Sequence, residues 1–373
     1  MKKTELRTPC FIIQKDKLIH NLEILHGIKA RTGCKILLAQ KCFSMYALYP
    51  LIGQYVDGCT ASGLFEARLG REEMNKENHV FSPAYREDEI DEIIDYCDDI
   101  IFNSFSQLSK YQSRVLEKHK SIGLRINPEC STQVGHAIYD PCAPYSRLGI
   151  TLENFQPELL THVEGLHFHT LCEQNAYDLE KTLKAVEEKF GQYMYQMKWI
   201  NFGGGHHITR EDYDKEVLIK CIKHVQEEYD VDVYIEPGEA FVLNAGTLLT
   251  SVLETNYNKI QLAILDTSAA CHMPDVIEMP YRPPLKNSGL PEEKAYTYRL
   301  GGPTCLAGDI IGDYSFDEPL HVGDRLEFED MALYTMVKTN TFNGMNLPDI
   351  VIEDNNDYII HKTFGYQDFK RRL

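Results

Sequence analysis

No C-x-x-C pair occurs among the eleven cysteines, which stand at 10, 34, 42, 59, 97, 130, 142, 172, 221, 271 and 305. Zinc ribbons and thioredoxin-like redox sites need that spacing and are therefore not supported. There is no run of roughly 18 apolar residues, so no membrane-spanning helix is expected. The opening MKKTELRTPC lacks the apolar core of an export signal. The expectation is a cytoplasmic protein whose thiols are mostly buried and reduced. Basic residues are in deficit: 38 Lys plus Arg stand against 56 Asp plus Glu, a net charge of −18. Contact with a phosphate backbone needs a surplus of cations, so no nucleic-acid partner is expected. An acid surplus keeps a chain soluble and favours the approach of cations.

What is present is ordinary for a folded protein, with 43% hydrophobic and 25% charged residues in 373. The length suits one large domain and a smaller one. Eight short apolar runs end in polar or glycine-rich turns between residues 35 and 240: KILLAQ, DGCTAS, HVFSPA, DIIFNS, IGLRIN, EGLHFH, WINFGG and VYIEPG. Helical patterns separate them. Over 177–194, Leu179, Leu183, Val186 and Phe190 share one face, and over 215–229 Val217, Ile219, Ile222 and Val225 do the same. Strands alternating with helices give an α/β fold with a parallel sheet, and eight units predict a closed (β/α)8 barrel over 16–243. A doubly wound open sheet would carry a first-turn G-x-G-x-x-G, which is missing. Beyond 243 the pattern changes to TLLTSVLETN, KIQLAILD, KAYTYRLGG, DRLEFED and ALYTMVK. These predict a second, mostly antiparallel β domain from 244–373. FIIQ (11–14) is assigned to it, so residues 1–15 and 244–373 form one discontinuous domain.

Active sites of such barrels gather where strands end. Lys41 follows the first strand; it reads either as a lysine reaching for solvent or as a desolvated, nucleophilic amine. Arg125 and Asn127 mark the fifth strand, and His167 and His169 the sixth. Gly203, Gly204 and Gly205 close the seventh, either as a flexible turn or as a backbone nest for phosphate. Glu236 and Gly238 close the eighth, where a carboxylate could hold a protonated ring nitrogen. His167 and His169, with His206 and His207, could also bind a metal in a barrel hydrolase, but no carboxylate-rich set accompanies them, so no metal is expected.

Six segments in order resemble the fold-type III pyridoxal-phosphate decarboxylases, the ornithine and diaminopimelate decarboxylase group that shares its barrel with alanine racemase. They are LLAQKCFS around Lys41, HFHT, FGGG, EPGE, GGPTC, and the pair ALYT with TNTFNGM. The resemblance runs over nearly the whole chain and implies pyridoxal 5'-phosphate as cofactor. It implies that Lys41 is the covalent attachment point and that Glu236 pairs with the pyridine nitrogen. It also implies that His169 stacks on the ring, that Arg125 contacts the ring oxygen, and that Gly203–Gly205, Gly238 and Tyr334 lie about the phosphate. Cys305, in GGPTC, is implied to act in protonation from the other subunit of a homodimer with composite active sites.

Two stretches set this chain apart within the family. EPGEA has Glu239 where ornithine enzymes usually have Arg, and CHMPDVIEMPYRP (271–283) is absent from them. The resemblance then points to a polycationic substrate, a carboxylated triamine, with Glu239, Asp275, Glu278 and Asp309 as candidates to bind its ammonium groups. An ornithine-, lysine- or diaminopimelate-type decarboxylase is the alternative on the same scaffold.

Overall fold

The structure, a computed structural model, describes residues 1–134 and 137–373. The chain divides into two compact units. One comprises Asn21–Phe241, the other Met1–His20 with Val242–Leu373. The expected limits of 16 and 243 differ from these by a few residues at each crossing. Among the described residues no helix is long and apolar enough to cross a membrane.

The first strand, β1 (Cys10–Gln14), belongs to the second unit. The next eight close a parallel barrel. They are β2 (Lys35–Ala39), β3 (Gly58–Ala61), β4 (Glu77–Phe81), β5 (Asp99–Phe102), β6 (Ser121–Arg125), β7 (Gly165–His167), β8 (Trp199–Asn201) and β9 (Asp232–Ile235). The ring shuts because β2 pairs with both β3 and β9. Each strand overlaps one of the eight apolar runs, though β4 begins two residues before HVFSPA. Helices pack between them and are capped by local chemistry. Asn175 Oδ1 accepts the Ala176 N–H at 2.7 Å, and Asp214 Oδ1 accepts the Glu216 and Val217 N–H groups at 3.1 and 3.2 Å. Each such cap stabilises its helix by about 1 kcal/mol. On Lys215–Tyr229 the buried face carries Leu218 rather than the expected Val217, alongside Ile219, Ile222 and Val225.

Alternate residues of a strand point inward, and the barrel interior is layered accordingly. Leu37, Ile101, Trp199 and Tyr234 form an apolar cluster with Phe81. The single tryptophan decides its neighbours. A Cβ on Gly123 would lie 2.4 Å from the Trp199 ring, and one on Gly165 only 2.0 Å away. Trp199→Ala would leave a cavity costing about 3–5 kcal/mol. Beneath this layer the strand starts carry charge. Lys35 Nζ donates to Tyr234 Oη at 2.7 Å, Tyr234 donates to Glu77 at 2.6 Å, and His79 lies between Glu77 and Asp99.

The second unit is an eight-stranded sheet containing β1 and seven later strands. These are β10 (Gly246–Asn258), β11 (Ile260–Leu265), β12 (Tyr296–Gly301), β13 (Ile310–Phe316), β14 (Arg325–Glu329), β15 (Asp349–Asp354) and β16 (Asp357–Lys362). Its path runs β13-β12-β11-β10-β1-β15-β16, with β14 on β10. Two pairings, β1–β15 and β11–β12, are parallel and the rest antiparallel. Phe11, Leu248, Tyr314 and Phe328 lie in its main core. ALYTMVK is not the expected strand. Tyr334 has φ of 46°, the left-handed region that breaks a ladder, and a 3-10 turn follows at Met336–Lys338.

Candidate active site

The barrel mouth holds a cavity lined by Lys41, Arg125, His167, His169, Glu236, Phe81 and the Thr60–Ser62 segment. Four of the expected site residues thus converge: Lys41, Arg125, His169 and Glu236. Lys41 sits in the turn after β2, open to solvent at the mouth yet ringed by protein. The crowded site, and then the Arg125 charge, push its amine below the usual lysine range. The Ala39 N–H donates to Pro237 O at 3.1 Å, which fixes this turn to the EPG turn after β9. A Cβ on Gly238 would come 2.6 Å from the Cys42 Cβ, so that approach needs a glycine.

Glu236 is buried and doubly bonded. Asn201 Nδ2 donates to its Oε1 at 2.8 Å, and His167 Nε2 lies 3.2 Å from its Oε2. Burial works against ionisation, but His167, His79 and Asn201 outweigh it and hold the carboxyl at about 2. Burial pushes His167 and, further, His169 below the usual imidazole range. The His169 Nδ1 accepts the Gly204 N–H at 3.2 Å, which leaves the ring proton on Nε2. Arg125 is buried; its Nη2 donates to His169 O at 3.2 Å, and its guanidinium lies 4.5 Å from the Phe81 ring centroid. Burial lowers its pKa to about 10.

The glycine turn departs from the expected backbone nest. The Gly203 N–H donates to Asn201 Oδ1 at 2.8 Å and the Gly204 N–H to His169, so two of the three amides are spent inside the protein. Among the described residues the Gly205 N–H makes no hydrogen bond. The glycines are needed for close approach instead. A Cβ would meet Phe168 O at 2.6 Å from Gly203, Glu236 O at 2.6 Å from Gly204 and Leu171 O at 2.1 Å from Gly205. Gly203 and Gly205 also have φ of 67° and 82°. Glu239 is buried, with its Oε2 3.2 Å from His207 Nε2. It faces a histidine of its own unit. His206 and His207 are both buried, and His207 Nδ1 lies 3.2 Å from Arg210 Nη1.

The remaining candidates lie in the sheet unit, where three motifs meet. Asp309 is 2% exposed and accepts from Ser268 Oγ (3.0 Å), Ala270 N (3.3 Å) and Thr304 Oγ1 (2.7 Å). Both oxygens tie the GGPTC turn to the segment before CHMPD. His272 of that motif is likewise structural. Thr267 Oγ1 lies 2.9 Å from its Nδ1, and Asn346 O lies 3.0 Å from its Nε2. The Cys305 N–H donates to Asn343 Oδ1 at 2.6 Å, joining GGPTC to TNTFNGM. Eight of the eleven cysteines are buried and two intermediate; Cys305 is the exposed one. Asp275 and Glu278 both accept from Lys338 Nζ, the latter at 2.6 Å, so an internal cation already serves the two carboxylates. Tyr334 sits at the left-handed residue described above.

Sequence reasoning missed Asn201, the second donor to Glu236, although its place two residues after Trp199 on β8 puts both on the inner face. It missed Phe81 under Arg125 and Asn343 behind Cys305. It also missed Glu77, His79 and Asp99, whose side chains meet at the strand starts. The two histidines of the metal alternative are engaged otherwise, His167 with Glu236 and His169 with Gly204.

Residues 33–332 match the family model described as pyridoxal-dependent decarboxylase, C-terminal sheet domain. The carboxynorspermidine/carboxyspermidine decarboxylase of Campylobacter jejuni is 44% identical, with 99% of each chain covered. The carboxyaminopropylagmatine decarboxylase of Synechocystis is 40% identical, over 99% of this chain and 96% of the relative. The crystal structure of carboxynorspermidine decarboxylase from Campylobacter jejuni, complexed with norspermidine, superposes with a TM-score of 0.93 over 99% of this chain and all of that one.

Proposed function

This chain belongs to the pyridoxal-dependent decarboxylases, and from that premise we propose that it converts carboxynorspermidine to norspermidine, and carboxyspermidine to spermidine, with release of CO2. The observation that carries this reading is the meeting of Lys41, Arg125, His169 and Glu236 on one cavity. The two full-length relatives at 44% and 40% identity support the class of substrate, a carboxylated polyamine.

The residues fit the family's cofactor by their chemistry. A lysine amine of lowered pKa can attach an aldehyde, and a buried carboxylate held ionised can accept from a protonated ring nitrogen. Glycines clear the space beside them. When bound, pyridoxal phosphate supplies the electron sink for the pair left by the departing carboxyl group. The protein's part is binding, orientation and proton placement. Glu236 would hold the ring-nitrogen proton, its two oxygens being fixed by Asn201 and His167. His169 would cover a ring face as a neutral imidazole. Arg125 would offer a cation to the ring oxygen. Gly205 would serve the phosphate, and Tyr334 is, by the family resemblance, a further candidate for that role. Glu239, steadied by His207, and the Asp275–Glu278 pair are the acceptors for substrate ammonium groups.

Cys305 supplies the proton that replaces CO2. Its exposure, with its N–H anchored by Asn343, supports service to a second copy of the chain in a homodimer with shared sites. Eleven cysteines without a disulfide support a cytoplasmic location.

The test begins with the absorbance spectrum of the purified protein and borohydride trapping, which should label Lys41. Release of CO2 is then followed with both carboxylated triamines, carboxyaminopropylagmatine, ornithine and diaminopimelate. Turnover of a carboxylated triamine should exceed that of the amino acids. Faster turnover of ornithine or diaminopimelate would overturn the reading. Carboxyaminopropylagmatine is the second reading, carried by the Synechocystis relative.

A further inference from the structure

The closed end of the barrel holds two cations and two anions that the reading above leaves unused. Lys35 Nζ lies 3.3 Å from Glu77 Oε2. His79 Nε2 lies 3.2 Å from Glu77 Oε1 and 3.1 Å from Asp99 Oδ2. His79 is fully buried and Asp99 is 6% exposed. A carboxylate so placed needs a cation. Lys35 serves Glu77, and His79 is the basic group in contact with Asp99. Burial opposes charge on the imidazole, yet Asp99 and Glu77 outweigh it and raise it to about 10. The titratable groups facing His79 are thus Glu77 on its own strand, Asp99 on β5, Lys35 on β2 and Tyr234 on β9.

The geometry runs from this cluster to the mouth. The Tyr234 ring centroid is 4.8 Å from that of His79. Tyr234 and Glu236 are two residues apart at the end of β9, a step of roughly 7 Å along one face. His79 therefore lies about one layer beneath Glu236. Its Nδ1 is buried with no hydrogen-bond partner among the described residues. His79 also stands among the charges that act on Glu236. His79 and Glu236 are both buried, and the Trp199 and Tyr234 rings pack against His79 with centroids 6.0 and 4.8 Å away, surroundings in which a charge acts more strongly than in water.

We propose that His79 is a positioning residue for decarboxylation: a fixed cation, clamped by Asp99 and Glu77 at the closed end, that keeps the Glu236 carboxylate charged and in place one layer above. The proposal rests on the reading that Glu236 serves the cofactor's ring nitrogen. A phosphate or substrate need never touch His79. Its influence passes through Glu236 alone, which is what a double-mutant cycle isolates.

The cycle uses wild type, H79Q, E236Q and the double variant in the full chain. Three measurements are made: affinity for pyridoxal phosphate by absorbance titration, the pH profile of kcat/KM, and thermal stability. H79Q should weaken cofactor affinity by about tenfold and move the acid limb of the profile to higher pH, because loss of the cation makes Glu236 easier to protonate. In the E236Q background the same change should alter affinity by less than about twofold. D99N, which loosens the clamp without removing the ring, should reproduce the acid-limb shift in smaller degree and stands in if H79Q does not fold. A lowered melting temperature with affinity and acid limb unmoved would overturn the proposal. So would an equal loss in both backgrounds. If E236Q itself leaves affinity and spectrum unchanged, the reading of Glu236 fails, and the proposal falls with it by a separate result.

Discussion

In the barrel, the groups that carry chemistry face inward and are bonded to one another. Glu236 has Asn201 and His167, His169 has Gly204, and Arg125 has the His169 carbonyl. In the sheet unit the proposed proton donor faces outward. Cys305 is the exposed thiol, and only its backbone N–H is held, by Asn343. The carboxylates there are anchored to their own unit, Asp309 by hydroxyls and Asp275 and Glu278 by Lys338. The contrast teaches a division of labour. The barrel builds a fixed, charged chamber that can hold a cofactor. The sheet unit presents a thiol and acidic side chains whose reacting partner must come to them. A preorganised site loses most when one member is removed, whereas a presented group loses in proportion to its own step.

The largest break comes in the chamber. Lys41→Ala should lower CO2 release by about a thousandfold or more, because it removes the attachment point rather than a supporting contact. The protein should still fold, since the side chain is open to solvent at the mouth. A spectrum of the variant with added pyridoxal phosphate checks that the loss lies in attachment. Residual activity within tenfold of wild type would mean that the chamber works by some other group.

A smaller loss is expected in the sheet unit. Cys305→Ala should cut product formation by about a hundredfold, the scale of one positioned proton donor. Cofactor affinity should not change. Mixing it with Lys41→Ala should restore part of the activity, because one site of each heterodimer would keep both groups. Heterodimers verified by mass that show no recovery would place Cys305 in the service of its own chain and blur the distinction drawn here.

The barrel was legible because buried parallel strands read as short apolar runs, and all eight ended where a polar residue or glycine stood. Lys41, Glu236 and the glycines could be singled out for that reason. The charged layer below was hidden. HVFSPA starts two residues late, so Glu77 fell outside the strand and His79 drew no notice as its first residue. Partners from distant segments were equally invisible. Nothing in the order of residues tells that Lys338 would take Asp275 and Glu278, or that Thr304 and Ser268 would share Asp309. ALYTMVK looks like a strand by composition, yet Tyr334 turns left-handed. Local pattern reveals where a strand runs, while the fate of an acid side chain depends on which cation the fold brings near.

Lys338 offers the finest probe of that last point. Its ammonium lies between Asp275 and Glu278, with its side chain 29% exposed. If the two carboxylates recognise a substrate ammonium, the lysine competes with the substrate for them. Lys338→Met keeps the stem and removes the charge, so KM for a carboxylated triamine should fall by about twofold to fivefold, the range set by a partly exposed ion pair. The gain should shrink as salt is raised, because such pairs are screened. The value of kcat should hold, since neither carboxylate is assigned to the bond-breaking step. If instead the carboxylates serve only to pin the 275–278 turn, KM stays constant and the melting temperature falls. That result would leave the sheet unit with Cys305 as its sole presented group and make the contrast with the barrel sharper still.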